Sequence, residues 1–507
     1  MVLKPLPINP AIGLPVKSQS GKVACMSEVR YVGGVQLARL LGSLPKERPL
    51  YLALSRGVRT LIQDGRLPLG VRLPAERDLA AALGVSRTTV TSAYDNLRTE
   101  GFVASRQGAG SWTALPAQGG RRHGGLVFTA IRGDQAPGTI DLGCASNGAP
   151  DVFTEAVEAA VRRLPEYTCG PGYEPGGLLC LRAAIADRYT ERGLPTRPEE
   201  IVITTGAQQA CSLLVQALVT PGESVMVERP TYPHALGALR NRGAVVTTVG
   251  VSDGWDVELL ADGMRQTGAR LTYLIPDFQN PTGHLMSEDD RAAVVEMARD
   301  LCVQVITDET FAEISIDAEP VRPLAAFDGG GRVISVGSAS KLFWGGLRIG
   351  WIRAAVPLAR RLARAREPMD IASPVLDQLI VTELFCDLEA VRAQRAEHLG
   401  ASRDAMARAL RERLPDWKFT MPGGGMCLWA RLPVPVASAL CESAQRGGVR
   451  VLPGPMFGVD GVLEDYVRLP FALPPADLEE AVERLACAYE GTGVEAPHPT
   501  HPLPAWV

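Results

Sequence analysis

Lys341 stands in the run SVGSASKLFWGGLRIGW, preceded by the hydroxyls of Ser338 and Ser340 and followed by Gly345, Gly346 and Arg348. An amine nucleophile, two hydroxyls and a fixed cation in one short loop suit a phosphorylated aldehyde. The amine condenses with the carbonyl to a Schiff base while the loop grips the phosphate. Such chemistry also needs a carboxylate to keep a ring nitrogen protonated, and Asp308 in VITDETF ends a strand-like run where one would serve. A lysine without such neighbours is ordinarily a solvated surface group, so the argument rests on the company Lys341 keeps.

Three more motifs follow strand-like runs, at the carboxyl ends where open α/β sheets place ligands. In TTGAQQA the backbone amides of Gly206, Ala207 and Gln208 open a helix and can face a phosphate. ERPTYP offers Tyr232 as an aromatic plate, and PDFQNPTG offers the Asn280 amide to a ring oxygen. Farther on, Arg468 in YVRLPFA presents a planar fork suited to a carboxylate. Each has a plainer reading by itself, as a turn glycine, a core aromatic, an Asn-Pro turn or a strand-end arginine.

The elements that would hold these residues alternate. IVIT (201–204), SVMV (224–227), AVVTTV (244–249), LTYLI (271–275), LCVQVI (301–306) and RVISV (332–336) are separated by helical segments, which predicts a mostly parallel sheet covered by helices. After about Arg353 the pattern is helical through Leu410, and a mixed α+β tail ends near Tyr489.

The amino-terminal part is organised differently. Leu50, Leu54, Val58, Leu61 and Ile62 share one helical face, which Gly65 ends. A short helix with Leu79 and Leu83 closes at Gly84, and Ser86 caps a third helix whose Val90, Ala93, Tyr94 and Leu97 face inward. Two helices about a glycine turn make a helix-turn-helix. FVASRQGAGSWT then reads as two short strands about a glycine-rich turn.

The expected divisions are a largely disordered extension over 1–45, with Met26 as an alternative start, and a small domain over 46–113. A linker follows over 114–139, then a large domain over 140–490 and a loose tail over 491–507. A chain of 507 residues, 46% hydrophobic and 21% charged, can bury more than one core. No apolar run approaches the roughly 20 residues that span a bilayer, and no secretory leader pattern opens the chain, so the cytoplasm is expected. The ten cysteines show no CxxC pair or metal-ligand spacing, so no metal site is expected. Net charge is −4, yet residues 46–113 hold ten Lys and Arg against six Asp and Glu, a basic segment on an acidic chain.

With these motifs in order, residues 140–490 resemble a fold-type I, class I aminotransferase, which uses pyridoxal 5′-phosphate. The resemblance implies Lys341 as the lysine that holds the cofactor, Asp308 on the pyridinium nitrogen, Asn280 on the phenolate oxygen and Tyr232 stacked on the ring. It implies phosphate contacts from Gly206, Ala207, Gln208, Ser338, Ser340 and Arg348, with Arg468 on a substrate carboxylate. Tyr173 in GYEPGGLLCLR matches a tyrosine that reaches the phosphate of the partner subunit, which implies a dimer. One place departs from the pattern: where a tyrosine usually bonds the phenolate oxygen, this chain has Thr310 followed by Phe311.

The run RLPAERDLAAALGVSRTTV resembles the GntR-type winged helix-turn-helix, with Arg72, Arg77, Ser86, Arg87, Thr88 and Thr89 implied in contacts to double-stranded DNA and Gln107 and Gly108 at the wing tip. The order of the two parts resembles the MocR/GabR subfamily of transcription regulators. The expected fold is therefore a small α+β winged helix-turn-helix joined to a large α/β aminotransferase-like domain. The expected assembly is a homodimer, head to tail, on paired half-sites or direct repeats. The expected function is DNA-binding regulation in which an amino acid or amine effector forms an external aldimine at the cofactor. Two alternatives remain at this stage: a working aminotransferase with a DNA-binding appendage, and a sensor of pyridoxal phosphate itself.

Overall fold

A computed structural model of the chain describes residues 31–42, 49–63, 66–68, 70–106, 110–114, 138–251, 254–459 and 461–491. Met26, Gly65, the wing-tip residues Gln107 and Gly108, most of the linker and nearly all of the carboxyl-terminal tail lie outside the described residues.

Four helices build the small domain: α1 (Gly34–Leu41), α2 (Leu50–Gln63), α3 (Glu76–Leu83) and α4 (Arg87–Thr99). Leu54, Val58, Leu61 and Ile62 of α2 meet Leu79 of α3 and Val90, Ala93, Tyr94 and Leu97 of α4 in one core. Gly84 ends α3 at φ 65°, a conformation that costs glycine little. Two residues on, the Ser86 hydroxyl caps α4 by accepting from the Thr89 amide at 3.1 Å. Strands β1 (Val103–Arg106) and β2 (Gly110–Thr113) pair antiparallel as the wing.

Helix α1 lies within the stretch that the sequence pattern leaves without structure. It has only eight residues, with Leu37 fully buried, and it packs on α3. A Cβ on Gly34 would stand 2.8 Å from the Asp78 carbonyl oxygen, so glycine permits the close approach. At this length a helix owes its existence to packing rather than to propensity, and periodicity is too short to reveal it.

In the large domain, β3 (Ile140–Asp141) leads to β4 (Ile201–Thr204), β5 (Ser224–Arg229), β6 (Val245–Gly250), β7 (Leu271–Leu274), β8 (Gln304–Asp308), β9 (Val333–Ser338) and β10 (Gly350–Arg353). Strands β4 to β10 form a seven-stranded sheet of order β4-β10-β9-β8-β7-β5-β6. All the neighbours are parallel except that β10 runs antiparallel to both β4 and β9. Strands β4 and β7 are buried throughout, as a sheet covered on both faces requires. The expected six strand runs all lie in this sheet; β10 adds a seventh, directly after the Lys341 loop. A smaller region holds β11 (Cys427–Arg431), β12 (Val449–Arg450), β13 (Leu452–Pro453) and β14 (Tyr466–Pro470), with sheet order β11-β14-β13 and β12 paired to β3. It brings Arg468 back over the carboxyl ends of the large sheet.

Candidate functional site

A cavity of about 270 Å³ opens at those carboxyl ends, and Ala207, Gln208, Tyr232, Asn280, Asp308, Ser338, Ser340, Lys341, Arg348 and Arg468 all line it. Residues 207 to 468 thus converge because strands of the large sheet end on one rim and β14 returns over it.

One end of the cavity is shaped for an anion. The helix Ala207–Leu218 begins here, and Gly206 precedes it at φ 83°. A Cβ on Gly206 would lie 2.5 Å from Arg348 Nη2, and one on Gly350 would lie 2.5 Å from the Gly206 carbonyl carbon. Two glycines therefore let a guanidinium lie against a helix amino terminus, where backbone amides and the helix dipole favour negative charge. Arg348 itself sits in the left-handed region at φ 50°. Ser338 Oγ accepts from the Ser340 amide at 3.1 Å, while the buried Ser340 Oγ has no partner among the described residues. An orphan hydroxyl, a guanidinium and a helix start fit a phosphate.

The middle of the cavity suits a polar ring. Asp308 ends β8, with Oδ2 accepting from Tyr273 Oη at 2.5 Å and Oδ1 from the Thr310 amide at 2.9 Å. Burial pushes the Tyr273 hydroxyl well above its ordinary pKa, so it remains a donor. Asn280 precedes a cis peptide bond to Pro281, is buried, and its Oδ1 has no partner among the described residues. Tyr232 sits at the start of the helix Pro233–Arg242, edge-on to His234 with centroids 5.3 Å apart.

At the far end stand the two cations. Lys341 Nζ donates to the Ala145 carbonyl at 2.7 Å. Burial, reinforced by the charge of Arg468, lowers its pKa, which enlarges the fraction present as a neutral, nucleophilic amine. Arg468 is buried, donates from Nη2 to the Gly143 carbonyl at 2.6 Å, and lies 5.0 Å from the Phe457 ring centre. Its Nε has no partner among the described residues. Such an arginine can close on a carboxylate.

Phe311 is buried, with its ring centre 5.9 Å from Lys341 Nζ. Thr310 also lines the cavity, and its buried hydroxyl has no partner among the described residues. The position just past Asp308 therefore brings the cavity a small hydroxyl and an apolar ring instead of a phenol. Tyr173 does not line its own chain's cavity and is 65% exposed.

The sequence reading missed Tyr273, Asn147 and the Gly143–Ala145 backbone. Asn147 Nδ2 holds the Lys341 carbonyl at 3.0 Å. These contacts join residues far apart in sequence, and a backbone carbonyl leaves no trace in residue type. For Tyr273 a signal existed, a polar-tipped aromatic inside an apolar strand, LTYLI, next to the strand that ends in Asp308.

On the small domain, Arg72, Arg77, Ser86, Arg87 and Thr88 are exposed and Thr89 is half-buried. Arg72, Arg77 and Arg87 line one groove together with Glu76. Glu76 Oε2 accepts from Arg87 Nε and Nη2, each at 3.3 Å, and from Thr91 Oγ1 at 2.9 Å. Glu76 thereby orients an arginine at the amino end of α4. Among the described residues there is no cluster of side chains that could hold a metal, and no helix is long and apolar enough to cross a membrane.

Residues 143–485 match the family of class I and II aminotransferases, and residues 50–112 match the gntR family of bacterial regulatory proteins. The probable rhizopine catabolism regulatory protein MocR of Rhizobium meliloti is 30% identical over 80% of this chain and 86% of its own length. An HTH-type transcriptional regulator of Bacillus subtilis, YisV, is 27% identical over 86% of this chain and 95% of its own. Among solved structures, the α-aminoadipate aminotransferase LysN of Thermus thermophilus, complexed with N-(5′-phosphopyridoxyl)-L-leucine, is 31% identical. It covers 70% of this chain and 93% of its own, with a TM-score of 0.65. A DNA-reading domain of one family and a cofactor-shaped cavity in a domain of the other lie in one chain, which is a MocR-like member of the GntR regulators carrying a class I and II aminotransferase domain.

Proposed function

We propose that this regulator binds pyridoxal 5′-phosphate in the large domain and reads an amino acid or amine there, converting its presence into a change in DNA affinity. The observation that carries the reading is the pairing of Lys341, whose pKa burial lowers, with a buried Arg468 whose Nε has no partner among the described residues, at one end of a cavity whose other end is shaped for an anion.

When bound, the cofactor supplies an aldehyde carbon that exchanges one primary amine for another. Gly206, Ser340 and Arg348 would anchor its phosphate, Asp308 would serve the ring nitrogen, Asn280 the ring oxygen and Tyr232 the ring face. Lys341 would supply the amine that holds the aldehyde carbon, and Arg468 would seat the carboxylate that an amino acid brings. Arg468 is tied to the Gly143 carbonyl, so an effector carboxylate that draws on Arg468 competes with a tie to the segment that also carries Ala145. Effector binding can shift the domain arrangement only by its differential affinity for the two arrangements.

Output passes to the groove lined by Arg72, Arg77 and Arg87, where α4 enters the major groove. The exposed Tyr173 reaches a partner's cavity in a head-to-tail homodimer, and the protein works in the cytoplasm. A second reading, turnover as an aminotransferase, draws on the likeness to LysN.

Titration of the cofactor-loaded protein with a panel of amino acids and amines, following visible absorbance and DNA binding together, tests the proposal. An amine that moves both signals at one concentration supports it. Absorbance changes with steady amino transfer to a keto acid at about 1 s⁻¹ or faster, and no change in DNA binding, favour the enzyme. A DNA response to cofactor with no further response to any amine identifies a cofactor sensor.

A further inference from the structure

Cys144 is exposed, whereas Leu142, Gly143 and Ala145 around it are buried, and it lines the cavity. The carbonyls on either side of it hold the two cations, Gly143 O accepting from Arg468 at 2.6 Å and Ala145 O from Lys341 at 2.7 Å. Its backbone is pinned. The Leu142 amide donates to the Arg450 carbonyl at 2.8 Å, the Gly143 amide donates to Asp141 Oδ1 at 2.8 Å, and a Cβ on Gly143 would meet the Arg450 guanidinium carbon at 3.1 Å. The thiol is therefore presented from a fixed segment at the effector end of the cavity.

An independent observation identifies what would come to it. Arg468 is 5% exposed and lines the same cavity, yet its Nε has no hydrogen-bond partner among the described residues. A buried guanidinium with a free donor is completed by an anion, and a carboxylate matches its planar geometry.

We propose that Cys144 is a modification site for small disulfides that carry a carboxylate, Arg468 drawing in the anion and so placing the disulfide against the thiol. The Cys144 thiolate attacks one sulfur of the disulfide; the new Sγ–S bond forms as the old S–S bond breaks, and the other half leaves as a thiolate that takes up the proton Cys144 gave up. The adduct occupies the space beside Lys341 and Arg468, so modification and effector binding exclude one another. The inference shares with the proposed function the assignment of Arg468 to a carboxylate, but requires neither an amine response nor a DNA response.

The test exposes the full-length, cofactor-loaded protein to dithiodipropionate, an anionic disulfide, or to neutral hydroxyethyl disulfide, and maps the adducts by peptide mass. The exposed Cys169, Cys302, Cys386 and Cys487 serve as controls in the same tube. The ratio of anionic to neutral modification rate at Cys144 should exceed that at the controls by about tenfold, and Arg468→Gln should erase the excess. Succinate should also suppress the excess in the wild-type protein, which keeps the test decisive if the variant fails to fold. A ratio at Cys144 no higher than at the controls, no adduct at Cys144 with either reagent, or an excess that survives succinate overturns the proposal. Loss of the amine response with the Cys144 ratio intact would remove the sensing mechanism and leave this site standing.

Discussion

Tyr273 Oη donates to Asp308 Oδ2 across 2.5 Å, from one parallel strand to the next. With the Thr310 amide on the other oxygen, the bond fixes the plane of the carboxylate that faces the cavity. Tyr273→Phe removes one buried hydrogen bond to a charged group, worth about 1.5 kcal/mol. Affinity for pyridoxal 5′-phosphate should fall about tenfold by absorbance titration, and Asp308→Asn should lower it further.

Gly206→Ala should damage the phosphate end selectively. The added Cβ collides with the Arg348 guanidinium, and the backbone at φ 83° disfavours any side chain. Binding of pyridoxal 5′-phosphate should weaken by about tenfold or more, while binding of pyridoxal, which lacks the phosphate, should change little. Comparing the two ligands by titration separates a lost cradle from general misfolding.

Phe311→Tyr would place a phenol where the ring now passes within 5.9 Å of Lys341 Nζ. A donor brought to the ring oxygen favours its ionised form, so the pH midpoint of the visible cofactor band should fall by about one unit. An unchanged midpoint across a spectroscopic pH titration would show that the new hydroxyl does not reach the oxygen.

Glu228 links the sheet to the loop that carries Asn280. It is fully buried and accepts from the Trp255 indole at 2.7 Å, the Ile275 amide at 3.0 Å and the Gln279 amide at 3.0 Å. Burial pushes its pKa up to about 7 from an ordinary 4.5, against the pull of those three donors. The native state therefore holds a proton that the unfolded chain has released between these values. The stability so contributed is full below pH 4.5 and is lost as pH rises through about 7. The loss is on the order of 3 kcal/mol. Denaturant unfolding of wild-type protein and Glu228→Gln across that range should show a smaller fall with pH in the variant.

Much of this was legible in the sequence, and what was not has physical reasons. Leu79, Gly84, Ser86 and Val90 state a helix, a stop, a cap and a second helix within twelve positions, because caps and turns are local chemistry. The six parallel strands are apolar runs flanked by helices, and the cavity residues follow them. Strand β10 was missed because GWIR has only two apolar residues, set between a glycine and an arginine, and its antiparallel place between β4 and β9 depends on partners distant in sequence. Helix α1 was missed because its burial against α3 comes from another part of the chain. The tie of Lys341 to Ala145 is a side chain meeting a backbone carbonyl, which residue type alone does not encode.

The central claim is that Lys341 couples the cavity to the DNA-binding domain. The most direct measurement is the DNA affinity of wild-type protein and Lys341→Ala, each with pyridoxal 5′-phosphate, before and after addition of an amine that changes the wild-type absorbance. The account predicts that the amine shifts wild-type affinity by about fivefold or more and leaves Lys341→Ala unmoved. An equal shift in both proteins would contradict it.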